Sequence, residues 1–285
     1  MDPDSEVEQA TSQILKTTFI TVVFTACSYY ETKTTPSVST IQHSLPDSSS
    51  KIAATPAPPL PARKKKTIYL TFDDGPNRGT RKMMHIVEEE QVPVTLFIVG
   101  EHVYGSKTQT ATFDSLMACK YFEIANHSYS HAENKYAKFY SLPDSAVKDF
   151  IRCADSLHLT ANIVRTPGRN IWRTANISST DIEKSKSTAD SLYKDGFTEV
   201  GWDLEWQFDE HLKLKNTCDE MLAQVDSAFA KGRMKTPDNL VLLAHDQVYE
   251  DAADSTELHQ FIIKLKAKDE FNFETVSKYP GLKRE

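Results

Sequence analysis

Two adjacent carboxylates, two histidines four residues apart and one strand-end histidine are the residues of this chain whose types and spacing suit chemistry. Asp73-Asp74-Gly75-Pro76 closes one apolar run, and Asn126-His127-Ser128-Tyr129-Ser130-His131 follows another. A spacing of four puts both imidazoles on one side of a helical turn. There, with a carboxylate, they can hold a divalent cation and leave coordination positions open for water. Successive side chains diverge where a strand ends, so one aspartate of the pair can ligate the cation while the other acts as base. Each pattern also has a plainer reading, because HxxxH alone is a weak motif and Asp-Asp-Gly-Pro is good turn chemistry. His245 ends the run Leu240-Val241-Leu242-Leu243-Ala244, where an imidazole can serve as general acid near neutral pH or simply sit satisfied on a rim.

The elements that must position these groups read as alternating strands and helices. Short apolar runs mark strands at Ile68–Phe72, Val94–Ile98, Phe122–Ala125, Asn162–Val164, Thr198–Gly201, Leu240–Ala244 and Phe273–Val276. Between them, Thr180 with Glu183, Thr217 with Glu220 and Asp254 with Glu257 have the spacing of helix capping boxes. This order implies an α/β fold of about seven parallel strands with right-handed crossovers, a barrel one strand short of eight, with a doubly wound open sheet as the alternative. In the barrel, Asp73-Asp74, His127 and His131, Arg165, Trp202 to Trp206 and His245 all follow strand C-termini, which converge on one mouth. The remaining histidines, including His85, His102, His158, His211 and His259, read as surface or packing residues, as do Asp114, Asp149 and Asp155.

The chain has 285 residues, 39% of them hydrophobic, enough for one sizeable catalytic domain. A net charge of -7 argues against a nucleic-acid partner, whose binding surface would be basic. Lys16 precedes the apolar run 17–26, which has the length of a signal-peptide core, and Cys27 follows small Thr25 and Ala26 as in a bacterial lipoprotein signal. A buried helix fragment is the competing reading. Residues 28–66 are rich in Ser, Thr and Pro and read as a tether, leaving 67–285 as the catalytic domain. The expectation is a secreted or cell-envelope protein, touching a membrane only through an N-terminal lipid anchor. Cys119, Cys153 and Cys218 lack the spacing of a disulfide framework or a cysteine metal site.

Thr71-Phe72-Asp73-Asp74-Gly75-Pro76, His127-Ser128-Tyr129-Ser130-His131, Arg165-Thr166-Pro167 and Leu242-Leu243-Ala244-His245-Asp246 resemble, in order, the motifs of the polysaccharide deacetylase, or NodB-homology, family. The resemblance covers about residues 67–278 and implies a distorted (β/α) barrel holding zinc or a similar divalent cation on Asp74, His127 and His131. It implies Asp73 as the base that deprotonates the attacking water, Arg165 as its ion-pair partner, and His245 as the acid that protonates the departing amine. Two departures stand out. Gly168 follows Pro167 where the family commonly has an aromatic residue, which bears on a substrate wall formed by Pro167, Gly168 and Trp202. Glu205 stands three residues beyond Trp202 where an aspartate is common, so Glu205, or else Asp203, is expected to orient His245. Trp202 and Trp206 either pack beneath that histidine or stack on sugar. The implied substrate is an acetylated polysaccharide or oligosaccharide, such as peptidoglycan or a chitin-like oligomer, that loses its N-acetyl groups. O-deacetylation of acetylated xylan, a binding module without turnover, and hydrolysis of small cyclic amides are the alternatives.

Overall fold

A strand as apolar as Leu240–Ala244 must be covered on both faces, and the sheet is built around that requirement. The computed structural model describes residues 64–282. The expected signal peptide, Cys27 and nearly all of the expected tether lie outside the described residues, and Lys66, taken above as tether, opens the first strand. The strands are β1 (Lys66–Asp73), β2 (Val94–Ile98), β3 (Phe122–Asn126), β4 (Ile163–Val164), β5 (Ile171–Arg173), β6 (Ser178–Thr180), β7 (Thr198–Glu199), β8 (Leu204–Glu205), β9 (Asn239–His245) and β10 (Phe271–Phe273). They lie in the order β6-β5-β7-β4-β3-β2-β1-β9-β8, with β10 paired to the start of β1.

From β7 through β8 this path is parallel, as the βαβα order requires. The sheet is therefore a curled half-barrel of mostly parallel strands. Leu240 to Ala244 are almost wholly buried on β9, between β1 and the end strand β8, and Ile68, Leu70, Phe72, Leu96 and Ile98 on β1 and β2 extend the core. The longest helices are Pro143–Leu157, Cys218–Lys231 and Ala252–Ala267, each with an apolar face buried in the core. None of the described helices is long and apolar enough to cross a membrane.

The departures from the sequence reading are local. Thr180 belongs to β6, which forms an antiparallel hairpin with β5, and the following helix starts only at Lys186. Both strands are too short to show a period-two pattern. The capping box at Thr217 and Glu220 forms as expected. At the last helix the cap is Asp251, whose carboxylate accepts from the backbone N–H groups of Ala253 and Asp254, so Asp254 lies inside the first turn. The final strand is Phe271–Phe273, and Val276 opens a 3-10 turn.

One core residue contradicts its surroundings. Glu199 on β7 is fully buried, and neither carboxylate oxygen has a hydrogen-bond partner among the described residues. Its neighbour across the ladder, Arg173, gives its guanidinium to Asp190, Ser179 and Thr180 instead. Burial, against the partial help of Arg173, pushes the Glu199 carboxyl from 4.5 up to about 8. A group whose pKa is raised on folding supports the fold fully below its unfolded pKa and loses that support as pH rises through the folded value. Glu199→Gln should therefore flatten the pH dependence of stability between pH 4.5 and about 8, by up to ~1.4 kcal/mol per pH unit. Denaturant unfolding across that range checks this, and parallel wild-type and variant curves would contradict it.

Candidate active site

At the C-terminal end of β1 the chain must turn sharply, and it does so with Asp74 in the left-handed region at φ 75°. Such a conformation costs a non-glycine residue on the order of 1–3 kcal/mol, and it sends the Asp73 and Asp74 carboxylates in different directions. Asp73 is buried and meets Arg165, whose Nη1 donates to Asp73 Oδ1 at 2.8 Å and to Thr71 Oγ1 at 2.8 Å. Nε and Nη2 of the same guanidinium donate to the carbonyls of Val200 and Gly201 at 3.0 and 2.9 Å. Burial lowers the Arg165 pKa, and the Asp73 carboxylate opposes that shift. An arginine titrates so far above neutrality that the guanidinium remains charged.

The loop beyond Asp74 is fixed by a second buried acid. Asp246, directly after His245, accepts from Asn77 Nδ2 and Thr80 Oγ1. The backbones come so close that a Cβ on Gly79 would stand 1.9 Å from the Asp246 carbonyl oxygen, so only glycine fits there. Burial pushes the Asp246 carboxyl up to about 7. The first and last motifs are thus locked to each other.

The histidine segment is a loop, and the helical turn expected from its spacing does not form. Ser128 and His131 take φ 67° and 48°, and side chains close the loop: Ser128 N–H donates to Asn126 Oδ1 at 2.8 Å and His131 N–H to Ser128 Oγ at 3.0 Å. Asp149, read from sequence as an ordinary surface acid, accepts from the Tyr129 and Ser130 amides at 3.0 and 3.1 Å and so organises the segment from α-helix Pro143–Leu157. His127 Nδ1 lies 2.9 Å from the Arg165 carbonyl. As donor to that carbonyl, the ring presents Nε2 as its free lone pair.

Asp74 Oδ1 lies 3.4 Å from His127 Nε2 and 3.1 Å from His131 Nε2, yet it is buried and makes no hydrogen bond in good geometry. One ligand atom from each of Asp74, His127 and His131 falls within 4.8 Å of the others. Three ligand atoms gathered this closely, with a buried oxygen left without a hydrogen-bond partner among the described residues, suit a divalent cation. Burial alone would raise the Asp74 carboxyl, but the imidazoles of His127, His131 and His245 outweigh it and hold it well below the usual carboxylate range. Burial would lower His127, and the Asp73 and Asp74 carboxylates reverse that, raising it.

His245 is the register partner of Asp73 in the parallel β1–β9 ladder, so the proposed acid and base stand side by side at the rim that carries the cation triad. Its Nδ1 is buried without a hydrogen-bond partner among the described residues, and Phe208 packs edge-on at 5.0 Å. The orienting role expected of Glu205 is therefore not realised as a hydrogen bond. Glu205 pairs with Leu243, two residues short of His245, although its carboxylate lines the same cleft. Asp203 is also engaged elsewhere, accepting from the amides of Lys235 and Val241 at 2.8 and 2.9 Å, and burial pushes its carboxyl up to about 6.

The cleft holds about 560 Å³ and brings Asp73, Asp74, His127, His131, Glu205 and His245 together with Gly168 and Trp202 on its wall. Pro167 does not line it: the ring is buried and its carbonyl accepts from Tyr140 Oη at 2.6 Å. Trp206 is core, with no exposure and its indole N–H given to the Asn216 carbonyl. Sequence reasoning missed His102, Tyr136 and Phe208, which also line the cleft. His102 Nδ1 sits 2.7 Å from the Asp74 carbonyl oxygen and steadies the left-handed turn. A Cβ on Gly168 would meet the Tyr136 ring at 3.2 Å, so an aromatic from the short helix Tyr136–Tyr140 fills the wall where the third motif lacks one. No local pattern announces any of these, since each acts through a tertiary contact.

A polysaccharide deacetylase sequence profile matches residues 61–167. The chain is 34% identical over 71 residues to a bifunctional xylanase/deacetylase of Pseudobutyrivibrio xylanivorans, covering 25% of this chain and 11% of that protein. It is also 34% identical over 70 residues to a chitooligosaccharide deacetylase of Rhizobium leguminosarum bv. phaseoli, covering 24% of this chain and 29% of that protein. The chain thus spans well under two thirds of these curated relatives. In fold it is similar to the catalytic domain of a peptidoglycan N-acetylglucosamine deacetylase from Eubacterium rectale, with a TM-score of 0.55 and 19% identity, covering 78% of this chain and 94% of that one. A Streptococcus mutans CE4 esterase superposes with a TM-score of 0.54 at 22% identity, covering 73% and 86%. Ordered motifs and profile agree that residues 61–167 resemble the polysaccharide deacetylase family, and the fold is similar to those of the solved deacetylase and esterase.

Proposed function

We propose that this protein hydrolyses N-acetyl groups on an amino-sugar polymer or oligomer, with a divalent cation, zinc by donor set, held by Asp74, His127 and His131. The observation that carries this reading is the orphaned, buried Asp74 Oδ1 close to two imidazole nitrogens, with Asp73 and His245 lining the same cleft. When bound, the cation supplies Lewis acidity at the acetyl carbonyl and at water. Asp73 takes the proton from the attacking water. Arg165 keeps that carboxylate aimed, because the guanidinium is itself held by bonds to Thr71, Val200 and Gly201 as well as to Asp73. His245 protonates the departing nitrogen, without which the leaving group would be a strongly basic amide anion. With Nδ1 buried, Nε2 is the nitrogen available for that transfer. Trp202 and Tyr136 offer aromatic faces to a sugar ring. The expected N-terminal lipid anchor, if present, would place the reaction at a cell envelope, which agrees with a polymer substrate.

The same chemistry at a sugar ester would release acetate without needing so strong an acid, so the substrate comparison is decisive. Acetate release from N-acetylglucosamine oligomers, peptidoglycan and acetylated xylan should favour the amides in zinc-loaded protein. It should fall about 10²–10⁴-fold in Asp73→Asn and in His245→Gln. Preference for xylan would assign an esterase, and no release from any substrate would refute turnover. Cation binding is measured separately by thermal unfolding. Zinc at about a hundredfold excess over its dissociation constant should raise the wild-type Tm by about 5–10 °C and leave Asp74→Asn or His131→Ala almost unmoved. Equal shifts in wild type and variants would place the zinc elsewhere.

A further inference from the structure

The candidate cleft does not end at His245. A second lobe of about 320 Å³, lined by Glu205, Gln207, Phe208, Lys215 and His245, shares Glu205, Phe208 and His245 with the main cleft. Its outer wall is a short hairpin, residues 207–215, in which Phe208 bridges Leu214 and the Lys215 amide donates to the Gln207 carbonyl at 2.9 Å. Asp209 Oδ1 closes the tip by accepting from the His211 and Lys213 amides, both at 2.9 Å. The indole of buried Trp206 ties the base to the Asn216 carbonyl at 2.9 Å. A wall pinned at tip and base presents Gln207 and Lys215 side by side as cross-strand neighbours.

Charge makes this lobe different from the rest of the cleft. Lys213, on the same hairpin, pairs with Asp251, whereas the Lys215 ammonium has no ion pair or side-chain hydrogen bond among the described residues. Glu205 is the acid in the lobe, and its field also acts on Arg165. The chain carries a net charge of -7, so an anionic glycan gains nothing from long-range attraction and needs a local cation to be held. Gln207 adds an amide able to donate to a carboxylate oxygen.

We infer that this lobe is a subsite for a carboxylate-bearing sugar next to the one being deacetylated, with Lys215 as its counter-ion and Gln207 as a hydrogen-bond donor. Resting on the function proposed above, this deepens it: the favoured substrate class becomes a glycan in which acetylated amino sugars alternate with anionic ones. Lys215 sets specificity and takes no part in the chemical step.

The test measures binding apart from turnover. Zinc-loaded Asp73→Asn protein is titrated calorimetrically with two glycans of equal length: a neutral N-acetylglucosamine oligomer and a peptide-free peptidoglycan strand, whose alternate sugars carry a carboxylate. The anionic strand is expected to bind tighter, with a preference ratio that falls about five- to tenfold in Lys215→Met, is retained in Lys215→Arg, and shrinks as salt is raised. Amidating the strand's carboxylates should lower the ratio to the Lys215→Met level. A ratio unmoved by Lys215→Met, or failure to bind either glycan, overturns the subsite. Acetate release by the Asp73-containing protein is followed in parallel. A Lys215-dependent ratio without release would leave the subsite standing and sink the deacetylase reading; release with an unchanged ratio would do the reverse.

Discussion

The buried ion pair between Arg165 and Asp73 is the constraint on which the site depends. A guanidinium with no side-chain exposure is tolerable only if its donors are satisfied, and here they reach Asp73, Thr71, Val200 and Gly201. Those partners come from β1 and from the segment just after β7, while the Arg165 carbonyl takes the contact from His127 at the end of β3. One side chain and its own backbone thus fix three strand ends relative to one another. Thr71 in turn donates to the Leu242 carbonyl at 2.8 Å, which carries the linkage to β9 and so to His245. Removing the guanidinium would leave a buried carboxylate and two carbonyls without that donor, a loss both of fold and of the proposed base's alignment.

The second constraint is the excess of ligand lone pairs beside that pair. The left-handed turn at Asp74, the side-chain-closed histidine loop and the glycine contact at Gly79 are all locally unfavourable or demanding conformations, and they meet at the same mouth. Strain gathered in this way is expected where geometry has been set for chemistry and paid for elsewhere in the fold. Here the compensation is visible in the apolar run Leu240–Ala244 of β9 and its neighbours, and in the acids Asp149 and Asp246, which bind loops.

How much of this was legible in the sequence follows from the range of each contact. The parallel ladder, the Thr217 cap and the convergence of Asp73, Asp74, His127, His131, Arg165 and His245 were readable, because strand direction alone puts strand-end residues on one rim. The β5–β6 hairpin, the cap at Asp251 and the position of the last strand were not, since two- and three-residue strands carry no period and a one-turn offset leaves the capping pattern nearly intact. Glu205 illustrates the limit of spacing arguments. Its distance from Trp202 suggested a partner for His245, but the β8–β9 register places it two rungs lower. Tyr136, His102 and Phe208 reach the cleft only through tertiary packing, and no pattern in their own segments distinguishes them from core or surface residues.

The central claim is that one cation, held by Asp74, His127 and His131, makes this cleft a hydrolase. The most direct measurement is acetate release from the best-used acetylated glycan while zinc is titrated into chelated protein of known concentration. The account expects release to rise in proportion to added zinc and to level off at a single equivalent, the capacity of the triad. Full release without zinc, or a rise that continues well beyond one equivalent, would contradict it.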